Sequence, residues 1–184
     1  HRGPSVNPKT YSNIAREIAQ FIDTWLETYE VKVYMLPFQA SPNNQELDND
    51  DYASSLEIKN LSNYPEKFIV YQRFESVQDY VKVVKKLDLV IGMRLHALIL
   101  SAGLGIPIIG IEYDAKVRYF MEEIDQMDYL ISMDCLDRNY LLFIAEQIRQ
   151  ELPSVKRKVK EGVCLYRQGK NSSIQALKNL LLST

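Results

Sequence analysis

The chain is poor in the side chains that most often bind metals or form disulfides. Its 184 residues include two histidines, two cysteines and one tryptophan. Cys135 and Cys164 show no CxxC or other metal-ligand spacing, so we interpret both as reduced and structural and expect no metal site. His1 is terminal, which leaves His96 as the one internal histidine able to exchange protons near neutral pH.

The chain also lacks long apolar segments and an excess of basic residues. Its longest apolar run, residues 97–111, is broken by Ser, Gly and Pro and is shorter than the roughly 20 residues that span a bilayer. The net charge of −2 argues against a nucleic-acid-binding protein. We therefore expect a cytoplasmic protein without a transmembrane segment. Because the chain begins His-Arg-Gly-Pro directly before a helix, we expect it to be a piece of a longer protein.

Helical and strand patterns alternate through nearly the whole chain. This alternation predicts one domain over residues 1–184, an α/β fold with a doubly wound, Rossmann-like parallel sheet of about five strands. The predicted strands are 31–36, 67–71, 89–91, 108–111 and 129–132, and the predicted helices are 9–29, 51–62, 77–87, 95–103, 115–125 and two or three pieces from 139 onward, with breaks near 153 and at 169–172. A polar loop at 38–52 leaves the first strand; functional loops lie at such edges, although solvated connectors are commoner.

Residues 87–118 are the most informative stretch, because their basic side chains fall where helices begin. Arg94 and His96 precede or open the helix 95–103, and Lys116 follows the predicted N-cap Asp114. A cation at a helix N-terminus costs roughly 0.3–1 kcal/mol unless an anion lies nearby. Helix N-termini after parallel strands open at the sheet edge where ligands bind. The pattern therefore predicts an anion-binding site.

Each of these side chains also has a plainer interpretation. Arg94 could pair with Asp88 or Glu112, His96 could be a core histidine bonded to a backbone carbonyl, and Lys116 could be solvated. The joint placement of the three favours the anion site. The basic run at residues 156–160 is interpreted as a solvated helix face rather than a contact with anionic lipid.

The same stretch resembles a known family. Asp88-Leu-Val-Ile-Gly-Met-Arg-Leu-His-Ala, then Gly-Ile-Pro, then Tyr113-Asp-Ala-Lys-Val with Phe120 shortly after, is similar to the signature of the polysaccharide pyruvyl transferases, which include an enzyme that pyruvylates cell-wall polysaccharide. The resemblance is strong over residues 85–125. It implies the C-terminal half of a GT-B-like fold, facing an N-terminal half that supplies a further arginine. This chain alone would then be an inactive half.

The resemblance also implies a reaction and roles for the site residues. The donor would be phosphoenolpyruvate, the acceptor a saccharide, the product a cyclic ketal of pyruvate, and no further cofactor would be needed. Arg94 would hold the carboxylate or phosphate, Lys116 would neutralise the phosphate, and His96 would act as general acid and base. Glu112 would accept a sugar hydroxyl proton and Tyr113 would contact substrate. A lipid-linked acceptor at the inner membrane face and a homo-oligomer stay open.

Two other functions fit the same elements. One is a GT-B glycosyltransferase or sugar-nucleotide epimerase half, but such sites usually show a glycine-rich turn and a ribose-binding carboxylate, where this chain has Met-Arg-Leu-His. The other is a flavodoxin-like domain that binds a small anion without catalysis.

Overall fold

The computed structural model describes residues 8–38 and 51–182. Helices and parallel strands alternate along these residues, as the sequence predicts. The helices are α1 (Pro8–Thr28), α2 (Asp51–Leu61), α3 (Val77–Val84), α4 (Leu95–Gly103), α5 (Ala115–Glu123), α6 (Arg138–Gln150) and α7 (Leu152–Leu182), and the strands are β1 (Val33–Met35), β2 (Phe68–Val70), β3 (Val90–Gly92), β4 (Ile108–Glu112) and β5 (Leu130–Ser132). The interior of the predicted loop at 38–52 lies outside the described residues.

The five strands form two hydrogen-bonded groups rather than the single sheet that we predicted. β1 pairs with β2, and β3, β4 and β5 form a three-stranded sheet in that order. Among the described residues no ladder joins the two groups. Side-chain packing connects them instead, since Met35, Val70 and Ile91 contact the same hydrophobic cluster.

The strand β4 lies at the centre of the core. Ile108, Ile109 and Ile111 are at most 1% exposed. Burial on both faces explains why the strand has no polar alternation. The helices around it contribute further buried side chains, among them Leu98, Val117, Met121, Leu141, Ile144, Ile148 and Val159, and Ile124 just after α5 is buried with them.

The helix starts differ in how their first N–H groups are satisfied. Ser76 caps α3, Asp114 caps α5 and Asp137 caps α6, each through a side-chain oxygen that accepts a backbone N–H. The caps at Ser76 and Asp114 confirm the sequence prediction. Helix α4 instead has Arg94 at its N-cap, and the side chain of this residue makes no capping hydrogen bond. The N-cap residue of α4 therefore offers no side-chain oxygen to the first N–H groups of the helix.

The end of α4 is a Schellman motif. Gly105 donates its N–H to Ala102 O at 2.8 Å, and Ile106 donates to Ser101 O at 3.1 Å. Gly105 has a φ of 73°, which glycine adopts without strain, and Pro107 follows before β4. The chain therefore turns sharply from α4 into β4, as the Gly-Leu-Gly-Ile-Pro sequence indicates.

Two predictions about the C-terminal region and the cysteines have to be corrected. The break near Pro153 is confirmed, because α6 ends at Gln150 and α7 begins at Leu152, but α7 continues through residues 169–172. One glycine in a helix costs only about 1 kcal/mol relative to alanine, which does not end a long helix. Cys135 and Cys164 are free thiols, as expected, but both are exposed, so neither is a core residue.

None of the described helices combines the length and apolarity needed to cross a bilayer.

Candidate functional site

The predicted site residues follow the carboxyl ends of β3 and β4. Gly92 of β3 is level with Gly110 of β4, so Arg94 leaves its strand at the height of Glu112. Tyr113 and the capping residue Asp114 come next on the second strand. The structure therefore places the residues of both turns at one edge of the three-stranded sheet.

Arg94 is held by an acid that the sequence did not indicate. Its Nε and Nη2 donate to the same Oδ1 of Asp51, at 3.0 and 2.7 Å. Both side chains are partly buried, with 29% of Arg94 and 20% of Asp51 exposed. Burial lowers the pKa of Arg94, but the hydrogen bonds and charge of Asp51, with a smaller contribution from Tyr113, outweigh it, so the pKa is raised. The guanidinium is a fixed positive charge.

His96 is connected to the same carboxylate through Phe38. The backbone N–H of Phe38 donates to Oδ2 of Asp51 at 3.0 Å. The Phe38 ring stacks on the His96 imidazole, with centroids 5.7 Å apart and planes 10° from parallel. The Phe38 ring also makes an edge-to-face contact with the buried Tyr80 ring, with centroids 5.4 Å apart. His96 itself is exposed, so it is not a core histidine.

Lys116 lies on the neighbouring turn with an acid of its own. Its backbone N–H donates to Oδ1 of Asp114 at 3.0 Å, and its ammonium lies 3.3 Å from Oδ2. The backbone hydrogen bond from Lys116 holds the pKa of Asp114 below its usual value. Burial opposes this effect, and the hydrogen bond and charge of the Lys116 ammonium add smaller lowering effects. With 67% of its side chain exposed, Lys116 has room to reorient toward a ligand.

Glu112 is engaged by an arginine that the sequence analysis did not single out. Arg118 donates its Nε to Oε1 of Glu112 at 2.7 Å and its Nη2 to Oε2 at 2.5 Å. The hydrogen bonds to Glu112, and next the negative charge of Glu112, raise the pKa of Arg118. Glu112 is therefore half of an ion pair, and Arg118 adds a third cation to the edge. The partners suggested for Arg94, Asp88 and Glu112, are wrong: Asp88 lies beside Lys156 at 3.7 Å.

The cations of the edge are therefore matched by acids, which changes the electrostatic argument made from the sequence. Arg94 and Lys116 are not isolated charges at helix N-termini. What remains unusual is α4, whose N-cap is an arginine that makes no capping hydrogen bond to the first N–H groups of the helix. A helix end of this kind suits an anion, because backbone N–H groups and the helix dipole both favour negative charge.

Phe38 and Asp51 are the residues that sequence reasoning missed. They stand at the two ends of the polar loop predicted at 38–52, and one signal for them was present. Residues after one strand of a parallel sheet meet residues after the others at a single edge. The loop leaves the carboxyl end of β1, so its ends were candidates to meet the turn after β3.

Two clefts on the surface lie away from the edge at Arg94. One cleft lies between the end of α4 and α7, where Gly105, Lys160 and Arg167 line it, and another lies between α1 and Met133. We give the edge at Arg94 more weight because the polar groups converge there. Within residues 8–38 and 51–182, no three His, Cys, Asp or Glu side chains are grouped so that they could bind a metal ion.

Comparison with known proteins identifies the family. The family model described as polysaccharide pyruvyl transferase matches residues 3–115, more than half of the chain. The matched region contains Phe38, Asp51, Arg94 and His96, and it ends one residue before Lys116. Neither the curated proteins nor the solved structures gave a match. The chain belongs to the polysaccharide pyruvyl transferase family.

Proposed function

We propose that this chain carries the phosphoenolpyruvate-binding wall of a ketal pyruvyl transferase that acts on a saccharide. The observation that supports this most is the start of α4, where an aligned arginine stands at the N-cap without making a capping hydrogen bond and an exposed histidine lies in the first turn. The family membership supplies the reaction class.

The donor's charges match the groups at this edge. Phosphoenolpyruvate carries a carboxylate and a phosphate close together, so its site needs several converging donors and positive charge. Arg94 offers the N–H groups of its fork that Asp51 does not engage, and Lys116 offers a point charge. The N–H groups of the first turn of α4 complete the anion site.

The chemistry requires one acid near the methylene carbon of the donor. We assign this role to His96: its imidazolium protonates the methylene carbon, which leaves an oxocarbenium-like centre at C2. One sugar hydroxyl attacks C2 and loses its proton. The bond from C2 to the phosphate oxygen then breaks, and the second hydroxyl closes the ketal. Phosphate is the leaving group. Of the two hydroxyl protons, one restores the His96 imidazolium that protonated the carbon, and the other leaves with phosphate.

The remaining predicted residues have secondary roles in this proposal. Tyr113 supports Arg94, whose pKa it helps to raise. Glu112 could accept a hydroxyl proton only after its ion pair with Arg118 opens, so we assign it to holding Arg118. An N-terminal half with a further arginine, a GT-B-like arrangement, a cell-wall product and a cytoplasmic location are parts of the proposal that follow from the family resemblance.

The test is phosphate release by the full-length protein with phosphoenolpyruvate and saccharide acceptors. We expect Lys116→Ala and His96→Ala to lower turnover at least about tenfold, since each removes a charged or proton-transferring group from the site. The control is Lys82→Ala: Lys82 is also an exposed lysine beside a helix N-terminal acid, Asp79, and lies outside the site. Stabilisation of the protein by nucleotide sugars and not by phosphoenolpyruvate would instead identify a glycosyltransferase or epimerase.

A further inference from the structure

Asp51 joins the two central side chains of the proposed site. One of its oxygens accepts both N–H bonds from Arg94, and the other accepts the N–H of Phe38, whose ring stacks on His96. The carboxylate comes from a different part of the chain, at the start of α2, 43 residues before Arg94. No other described contact links Arg94 to His96 in this way.

A carboxylate at this position has two opposite effects on the site. Its charge weakens binding of the anionic donor, whereas its hydrogen bonds orient Arg94. It lies beside the guanidinium that we assign to an anionic donor, so its charge repels that donor. A residue selected only for donor affinity would not be an acid here. The geometric effect is favourable, because two N–H bonds to one oxygen fix the orientation of the planar guanidinium. The N–H groups that Asp51 does not engage are then held in one direction.

We propose that Asp51 is a positioning residue of the phosphoenolpyruvate site, which aligns the Arg94 guanidinium and, through the backbone of Phe38, the His96 imidazole. This inference rests on the proposed function. Asp51 does not touch the donor; it acts through the two residues that do. Alignment of reacting groups raises turnover, whereas charge repulsion weakens ground-state binding.

The two effects predict a split between kinetic constants in Asp51→Asn. The amide keeps the shape of the carboxylate but loses its charge, and it turns an N–H toward either Arg94 or Phe38, which are both donors. We expect kcat to fall by about tenfold or more, because small misplacements of catalytic groups are costly. KM for phosphoenolpyruvate should stay equal or fall, because the repelling charge is gone.

A merely structural carboxylate provides the control. Asp23 is buried in α1 and accepts the Ser62 hydroxyl and, at 3.0 Å, the Asn63 N–H just beyond the other end of α2. Asp23→Asn should lower Tm and leave both kcat and KM unchanged.

A double variant tests whether Asp51 acts through Arg94. The loss of kcat in Asp51→Asn combined with Arg94→Lys should be no larger than the loss in the more impaired single variant, because Asp51 acts through Arg94.

The measurement is steady-state kinetics of the full-length protein, with Tm recorded for every variant. Wild-type kcat in a folded Asp51→Asn variant, or a raised KM with unchanged kcat, would overturn the inference. If that variant does not fold, Asp51→Glu carries the same test, because it keeps the charge and displaces the carboxylate: lower kcat with unchanged KM is expected, and unchanged kcat contradicts us. A wild-type protein that releases no phosphate would refute the proposed function instead.

Discussion

The side chain of Arg94 shows how the site is organised at the scale of single residues. Its guanidinium donates two hydrogen bonds to the carboxylate of Asp51, and its raised pKa, to which Tyr113 also contributes, keeps it charged near neutral pH. A partly buried arginine that is already paired is oriented before substrate arrives. The cost of ordering the side chain is then met on folding rather than on binding.

Lysine at this position should not replace arginine. Arg94→Lys keeps the charge but loses the fork that contacts Asp51 through two nitrogens. We expect kcat/KM for phosphoenolpyruvate to fall about ten- to a hundredfold, because a hydrogen bond to a charged group contributes about 1.5–3 kcal/mol. Steady-state kinetics of the full-length protein measures this.

Arg149→Lys is the matched control for that substitution. Arg149 also contacts one carboxylate, Glu146, through Nε and Nη2, at 2.8 and 2.7 Å, but it lies on α6. We expect its replacement to leave kcat/KM unchanged. Equal losses in the two lysine variants would mean that Arg94 acts through stability alone.

At the scale of elements, α7 depends on one close approach. A side chain on Gly162 would overlap the carbonyl oxygen of Ile124, which follows α5, whereas one on Gly169 would meet nothing within 4 Å. We therefore expect Gly162→Ala to lower the free energy of unfolding by about 1–3 kcal/mol, as overpacking usually does. Gly169→Ala should raise it by up to about 1 kcal/mol, through helix propensity.

Denaturant unfolding of the two variants measures these opposite signs. The comparison has an internal control, because both substitutions are the same and both lie in α7. Shifts of the same sign in the two variants would show that α7 does not contact Ile124 as described.

The sequence predicted these elements well where the signal was local. The caps at Ser76 and Asp114, the turn at Gly105 that closes α4 and the buried strand β4 all follow from residues within one turn or one strand. Helix α7 was divided wrongly at Gly169, because a single glycine is a weak stop signal.

The contacts that organise the site could not be predicted in the same way. Asp51 and Arg94 are 43 residues apart, and nothing in either local sequence names the other. The choice among Asp51, Asp88 and Glu112 as the partner of Arg94 is made by packing of separate βα units. For the same reason the strands were predicted individually, but their division into groups of two and three was not.

At the scale of the whole molecule, a hydrogen-bonded ionic network joins the end of α1 to α6, which are far apart in the sequence. Tyr29, just after α1, donates its hydroxyl to Glu146 of α6 at 2.8 Å, and the Arg149 guanidinium lies 4.7 Å from the centre of the Tyr29 ring. Hydrogen bonds from Arg149 first, then from Gln150 and Tyr29, lower the pKa of Glu146 to about 2. The hydrogen bond between the Tyr29 hydroxyl and Glu146 also raises the pKa of Tyr29.

This network should make stability depend on acid pH. Glu146 takes up a proton more readily in the unfolded chain, where its reference pKa is 4.5, than in the fold. Its stabilising effect is therefore complete above pH about 4.5 and is lost as the pH falls to about 2. We expect Glu146→Gln to lower Tm at neutral pH and the difference from wild type to disappear by pH about 2.

Thermal unfolding across that pH range measures the difference. Glu161→Gln is the control, because Glu161 is exposed and its nearest arginine atom, Nε of Arg157, is 3.9 Å away. Its Tm should follow that of the wild type at every pH. A gap between wild type and Glu146→Gln that stays constant across the range would contradict the account of this network.

The central claim, that the edge at Arg94 and His96 binds phosphoenolpyruvate, is tested most directly by calorimetric titration of the full-length protein with this donor. We predict that the wild type and Lys82→Ala bind it equally well and that Arg94→Ala binds it at least about tenfold more weakly, since the variant loses charged hydrogen bonds to the donor. Wild-type affinity in a folded Arg94→Ala variant would contradict the claim.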